Sequence, residues 1–313
     1  MGCNRVSFGS LALLALATST AAFAQDSVSD KATFAISDTR ATSDRESGFL
    51  SGLRGFEHFY DPIGNPLYFE TPLNNSSAKL LFLRHDFPSD SQLQGGDLTV
   101  VALQLRLALT ERLGFIATKD GYSWLNADGL PEDEGWNSIA AGLKYAFYVD
   151  EEADLIATGG FRYMFDVGTD GILQSGVQEL SPFISLAKGF DKLHLMANLT
   201  DRIPLDSDDG NNVLQWDLHA DYEVADGIAP TVELHSLHYL SDGERFPLKV
   251  GGLDYTNLGS NDVSGSTVIS LGGGCRFKLS PHMSIGVMYE YPLTNPDADI
   301  HDGRFTADLI LTW

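Results

Sequence analysis

Apolar-alternating segments recur along this chain, and the connections between them are short and long by turns. That parity constrains the fold more than any other feature. In DLTVVALQLRLALT, Val101, Leu103, Leu105, Leu107 and Leu109 fall on one face and Ala102, Gln104, Arg106 and Ala108 on the other. A period of two is the signature of a strand. ERLGFIATKD repeats it with Leu113, Phe115 and Ala117, NSIAAGLKYAFYV with Ile139, Ala141, Leu143, Tyr145 and Phe147, and NVLQWDLHADYEV with Leu214, Trp216, Leu218, Ala220 and Tyr222. About twelve such segments run from AKLLFLRHDF to GRFTADLILTW, each ended by turn-forming residues. Turns at Thr110–Arg112, Asp150–Ala153, Phe190–Asp191, Ala225–Gly227 and Ser280–His282 are short. Between them lie long polar connections at Pro88–Gly96, Gly121–Trp136, Val167–Gln178, Asp201–Asn212, Ser241–Gly265 and Asn295–Gly303. Up-and-down barrels of the outer membrane have short periplasmic turns and long extracellular loops. A soluble sandwich has no reason to keep this parity. The expected fold is therefore all-β: a transmembrane antiparallel up-and-down β-barrel of about twelve strands over residues 77–313. An even count places both ends in the periplasm, and the predicted location is the outer membrane of a Gram-negative bacterium.

The segment GRFTADLILTW places Phe305, Ala307, Leu309, Leu311 and Trp313 on one face. An apolar face ending on an aromatic suits a closing strand that meets lipid. Phe305, Leu309, Leu311 and Trp313 are expected to form the assembly signal read by the barrel assembly machinery. The alternative for this segment alone is the edge strand of a soluble sheet. Trp216, Tyr222, Tyr145, Phe147, Tyr163, Tyr289 and Tyr291 lie near strand ends on the apolar face, as interfacial girdles require. Outer-membrane lipid and lipopolysaccharide are the implied surroundings.

Ahead of the barrel, Arg5, the apolar run VSFGSLALLALA and Ala22-Phe23-Ala24 read as a signal peptide over residues 1–24. Its removal takes away Arg5 and no acid, moving the net charge from -23 to -24. Such acidity argues against a nucleic-acid partner. Only Cys275 then remains, so no internal disulfide and no cysteine-based zinc site is available. Residues 25–76 are polar, carry Pro62, Pro66 and Pro72, and cluster aromatics in GFEHFYDPIGNPLYFETP. They form either a periplasmic extension or a plug in the barrel mouth; disordered leaders are usually poor in aromatics.

If the apolar face meets lipid, the other face lines the lumen. The candidate pore-lining residues are Arg106, Lys144 and Arg162 on one side, and Asp217, His219, Asp221, Glu233, His235, Glu290 and Asp308 on the other. Glu223 joins the acidic side, and Arg276 and Arg304 are exceptions to the segregation. The result is either a transverse field across a narrow pore or a side-chain-filled interior that neutralises itself. Gly142, Gly160, Gly272, Gly274 and Gly286 point inward and are expected to leave open space. If Ala225-Asp226-Gly227 is a three-residue hairpin loop, Val224 faces Ile228. His219 then pairs with Glu233, and Asp217 with His235. Acid-histidine pairs serve general acid-base work or bind metal, but more often they are structural. No catalytic residue, metal site or cofactor is assigned. Ser236 and His238 share a face with nothing to orient them. Carboxylates in the long loops, such as Asp206, Asp208 and Asp209 or Asp297, Asp299 and Asp302, either bind divalent cations or simply keep the loops soluble.

The stretches GGDLTVVALQLRLALTERLGFIATKDGYSWL, IAAGLKYAFY, SLGGGCRFKLSPHMSIGVMYEYPLT and NPLYFETP resemble the outer-membrane barrel family that carries the label MetA-pathway of phenol degradation. The resemblance covers most of the chain after about Gly64 and implies a barrel with uptake of aromatic compounds. It brings no ligand residues with it. The expected function is a non-enzymatic outer-membrane channel for passive uptake of small solutes, aromatic ones among them. The alternatives are a barrel enzyme hydrolysing lipid or peptide, and a structural or adhesion barrel without transport.

Overall fold

The computed structural model describes residues 49–171, 177–294 and 301–313. The predicted signal peptide and the loop residues Asp297 and Asp299 lie outside the described residues. Fourteen strands form one antiparallel sheet: β1 (Ser77–Asp86), β2 (Gly96–Ala108), β3 (Leu113–Lys119), β4 (Tyr122–Ala127), β5 (Asp133–Trp136), β6 (Ile139–Asp150), β7 (Leu155–Phe165), β8 (Glu179–Phe190), β9 (Leu193–Pro204), β10 (Val213–Tyr222), β11 (Ile228–Tyr239), β12 (Thr267–Ser280), β13 (Met283–Pro292) and β14 (Gly303–Thr312). β3 and β4 both pair with β2, and β6 and β5 pair with β3 and β4 in turn. Each of these couples is one long stave, so the fourteen strands make a twelve-stave barrel. β1 pairs with β2 on one side and with β14 on the other, from Ser77↔Thr312 to Asp86↔Gly303. This pairing closes the barrel between its first and last staves; above it, β5 has β4 as its one partner among the described strands.

The staves carry their large apolar side chains outward. Leu80, Phe82, Leu103, Leu143, Phe161, Ile184 and Leu218 are exposed, where a soluble protein would bury them. Such a belt is suited to lipid, and Tyr145, Tyr222, Tyr289, Tyr291 and Trp313 are exposed with it near the stave ends. Cys275 is a free, half-buried thiol on β12.

Two sequence expectations change. Gly121–Trp136 is not a polar loop, because β4 and β5 continue two staves beyond the rest of the sheet. Tyr122, Trp124 and Trp136 cluster on that hairpin, with ring centroids 4.8 and 5.3 Å apart. The stave breaks at Asp120-Gly121, where Gly121 adopts φ +89° and Asp120 Oδ1 accepts the Leu103 N–H at 2.8 Å. β9 also runs on to Pro204, so Arg202 stands in a strand rather than in a loop.

One irregularity sets the charge of the interior. Strict alternation from Leu113, Phe115 and Ala117 would put Lys119 on the lipid face. A β-bulge between Ala117 and Lys119 inserts one residue and turns Lys119 inward, where it is buried. A lysine facing the middle of the bilayer would cost about 2–4 kcal/mol.

Candidate functional site

Twelve staves enclose a narrow lumen, and the segment before β1 fills much of it. The segment enters and leaves at the end of the barrel that carries the short turns. At that mouth Leu53 N–H donates to Asn74 O (2.8 Å), and Asn74 Nδ2 donates to the carbonyls of Thr110 and Glu111 (3.0 and 2.8 Å). Phe56, Phe59, Phe69 and Leu73 pack there against Ala146, Ile156, Ala187 and Met196. The apex, Asn65 to Tyr68, reaches toward the long-loop end. Gln104 Nε2 donates to Pro66 O (2.9 Å), and the Tyr68 hydroxyl donates to Glu179 Oε1 (2.6 Å).

All ten predicted lumenal residues point inward and are buried, and the signs are segregated only in part, since Glu179 lies on the basic side and Lys79, Arg276 and Arg304 lie among the acids. What each side contacts is the inserted segment. On the basic side Glu70 accepts from three cations: Arg106 Nε and Nη2 (2.9 and 3.0 Å), Lys144 Nζ (2.8 Å) and Arg162 Nη2 (3.2 Å). Lys144 also donates to the carbonyls of Thr71 and Leu73, and Ser185 to that of Glu70. On the acidic side the hairpin register falls as the loop length predicts, with Asp217↔His235 and His219↔Glu233. His219 Nδ1 lies 2.8 Å from Glu233 Oε1, and His235 Nδ1 lies 2.8 Å from Asp217 Oδ1. His194 Nδ1 and His219 Nε2 engage the two oxygens of Asp221 at 2.7 and 2.9 Å. Glu233 then takes the N–H groups of Ile63 and Gly64 (2.9 and 2.8 Å), while Asp217 takes Asn65 Nδ2 (2.8 Å). A Cβ at position 64 would lie 2.6 Å from His235 Nε2, so only glycine lets the backbone come this close.

Wall-to-wall pairs complete the acidic side. Arg276 binds both oxygens of Asp308 (2.7 and 2.8 Å), and Arg304 binds Glu290 (2.7 and 2.9 Å) and Asp254 (2.6 Å). Asp254 belongs to the connection between β11 and β12, which folds back into the long-loop mouth with Val250, Leu253, Tyr255 and Val263 buried. Burial, then the neighbouring Asp254 carboxylate, pushes the Tyr255 phenol well above its usual range. Arg202 is where this connection and the segment meet. Its Nη1 donates to Leu253 O (2.8 Å), its Nε faces Glu179, and its guanidinium lies 4.2 Å from the Tyr68 ring. An apolar crevice of about 20 Å³ beside the connection, lined by Leu83, Phe87, Leu98 and Leu253, holds little more than a water.

Several charged residues of the lumen escaped the sequence reading. Glu70 lay in a stretch without strand alternation, Arg202 in an assumed loop, and Lys119 in the outward phase. The inward glycines do not leave open space. A Cβ at Gly142 would strike Phe161 O at 1.8 Å, one at Gly160 the Phe183 ring at 2.6 Å, and those at Gly272, Gly274 and Gly286 would meet Met288, Val287 and Arg276 within 2.8 Å. These glycines let side chains and backbone close up. Ser236 and His238 remain unconnected, because His238 Nδ1 faces Thr267 Oγ1 at 2.6 Å. Among the described residues no group of His, Cys, Asp and Glu is arranged to hold a metal. Glu223 lies half-buried at the short-turn end, and Asp206, Asp208 and Asp209 are on the surface of their connection.

No protein-family model matches the sequence, and no curated protein matches it. Among solved structures, an outer membrane channel from Pseudomonas putida F1 superposes with a TM-score of 0.57 at 12% identity, over 82% of this chain and 100% of that one. The NanC porin gives a TM-score of 0.48 at 11% identity over 76% of this chain and 100% of its own. The KdgM porin, in complex with disordered oligogalacturonate, gives 0.45 at 11% identity over 76% of this chain and 99% of its own. The first likeness establishes the fold: a twelve-strand closed antiparallel barrel of the outer-membrane type.

Proposed function

We propose that this protein is an outer-membrane channel that passively admits small solutes, aromatic ones among them. The solute path is the lumen, and the segment ahead of β1 occupies it from the short-turn mouth. One observation carries the reading: three cations of the basic wall find their acid on the segment, not on a neighbouring stave. Arg106, Lys144 and Arg162 all converge on Glu70. A barrel built only to be stable would pair its charges stave to stave, as Arg276–Asp308 and Arg304–Glu290 do. Partners carried on a separable segment leave a charged, hydrated wall when that segment withdraws. Aromatic solutes are favoured because the segment itself lodges rings in the lumen. Phe69 packs edge-on to His219 and His235, and Tyr68 lies between Arg162 and Arg202.

A second reading has an observation behind it. The segment and the β11–β12 connection bury the wall side chains from both mouths, as a permanently sealed structural barrel would. Recordings in planar bilayers separate the two. The full-length protein should show small or infrequent conductance steps, and a form lacking residues 49–74 should show larger, long-lived ones. Silence from both folded forms selects the sealed barrel. Liposome swelling with a panel of phenols, sugars and amino acids then ranks the solutes, with phenols expected to enter faster than sugars of similar size.

A further inference from the structure

The charges of the basic wall do not balance. Arg106, Lys119, Lys144, Arg162 and Arg202 are all buried. Among the described residues, the carboxylates in ion pairs with this set are Glu70 and Glu179. Arg202 takes Glu179, which leaves the single charge of Glu70 facing three cations. Lys119 Nζ donates to Met164 Sδ at 3.4 Å, a neutral acceptor. Arg162 Nε and Nη1 are buried with no hydrogen-bond partner among the described residues.

Lys119 and Arg162 stand two staves apart on this wall, on either side of β6. Lys119 is opposite Ala140, Ala140 is opposite Met164, and the next inward pair is Gly142 and Arg162. Two small residues thus separate the lysine from the guanidinium. The Phe183 ring lies 4.5 Å from the Arg162 guanidinium and supplies an apolar flank. Burying a cation without counter-charge is unfavourable, so the wall favours an anion beyond the one it holds. Glu70 also displays the geometry that suits it. A carboxylate sits across Arg106 Nε and Nη2 in a two-bond fork, with Lys144 on one of its oxygens.

We propose that Arg106, Lys144 and Arg162 form a binding site for a small carboxylate solute, and that Glu70 is its built-in competitor. An arriving carboxylate takes the place of the Glu70 carboxylate on Arg106 and Lys144 and engages the free donors of Arg162. The segment then loses its ionic anchor on the basic wall. Glu70 is tethered, so it competes at an effective concentration in the millimolar range or above. Free carboxylates therefore bind the native protein weakly and bind tightly once Glu70 is neutral. The inference rests on the lumen being a solute path, and its test reads binding apart from conduction.

Benzoate is titrated calorimetrically into the full-length folded protein in detergent at low salt, with benzamide as the uncharged isostere. Glu70→Gln should tighten benzoate binding by about tenfold or more, leave benzamide unaffected, and lose the gain when Arg162→Gln is added. Equal benzoate affinity in the native protein and a folded Glu70→Gln variant overturns the site. A second measurement on the native protein decides the matter even if that variant does not fold. Benzoate should speed proteolytic cleavage within residues 49–76, and benzamide or chloride at equal ionic strength should not. No acceleration by benzoate overturns the proposal, as does equal acceleration by chloride. Benzoate binding without conductance keeps the site and removes the channel; conductance without binding does the reverse.

Discussion

Gly64 shows how closely single residues fit the segment to the wall. Its N–H reaches Glu233 Oε2 only because no Cβ stands between the backbone and the His235 ring. Gly64→Ala should therefore cost about 1–3 kcal/mol of docking by overpacking, read as faster proteolysis within residues 49–76 while the barrel stays folded. At this scale the sequence was legible wherever one local rule fixed the geometry. A three-residue turn at Ala225–Gly227 sets the register that pairs His219 with Glu233. It was not legible for Lys119, because a bulge changes the phase of alternation without an unambiguous residue signal. A lysine in the outward phase just ahead of Asp120-Gly121 was the available hint, since lipid would reject it. Glu70 was hidden for another reason: its three partners lie 36, 74 and 92 residues away along the chain.

Whole staves were more legible than their breaks. Alternation and loop parity describe twelve staves with both ends at one mouth, since neither depends on long-range contacts. The β4–β5 extension read as a loop because Asp120-Gly121 interrupts its pattern with turn residues. The interruption is repaired by the side chain of Asp120, which accepts the Leu103 N–H that a regular ladder would bond. Asp120→Ala should leave that N–H without its acceptor at a cost of about 1–3 kcal/mol. Amide exchange should quicken at Leu103 and through β4 and β5 while β8 to β11 keep their protection. At the other end of the sheet, β14 completes the closure, and Trp313 is exposed at the short-turn rim with its N–H on Ser76 O. Trp313→Ala should lower the yield of folded, heat-modifiable barrel in the membrane and leave single-channel conductance of the folded fraction unchanged.

Across the whole molecule, the acidic staves carry pairs made within the sheet, whereas Arg106, Lys144 and Arg162 take their counter-charge, Glu70, from outside it. With residues 49–74 removed, the acidic staves and the basic staves face each other directly across the lumen. Neutralising Arg106, Lys144 and Arg162 in that form should shift the reversal potential in a salt gradient toward cation selectivity, because the acids on β10 to β14 remain. An unchanged reversal potential would mean that ions pass elsewhere. The segment that carries Glu70 is doubled back on itself, with Leu53 against Asn74 at the mouth and its apex near Tyr68. A chain threaded through a ring can leave only by its end, but a doubled loop can be drawn back through the opening it entered. Tension on the residue-49 side would load the bond from Leu50 N–H to Ala108 O first, then the Leu53–Asn74 bond, and peel the contacts one after another, while Ser77 stays fixed in β1. Such peeling proceeds at low force compared with shearing all contacts together. It breaks no hydrogen bond of the barrel ladder, so a steady pull of modest size would empty the lumen and its release would let the loop return.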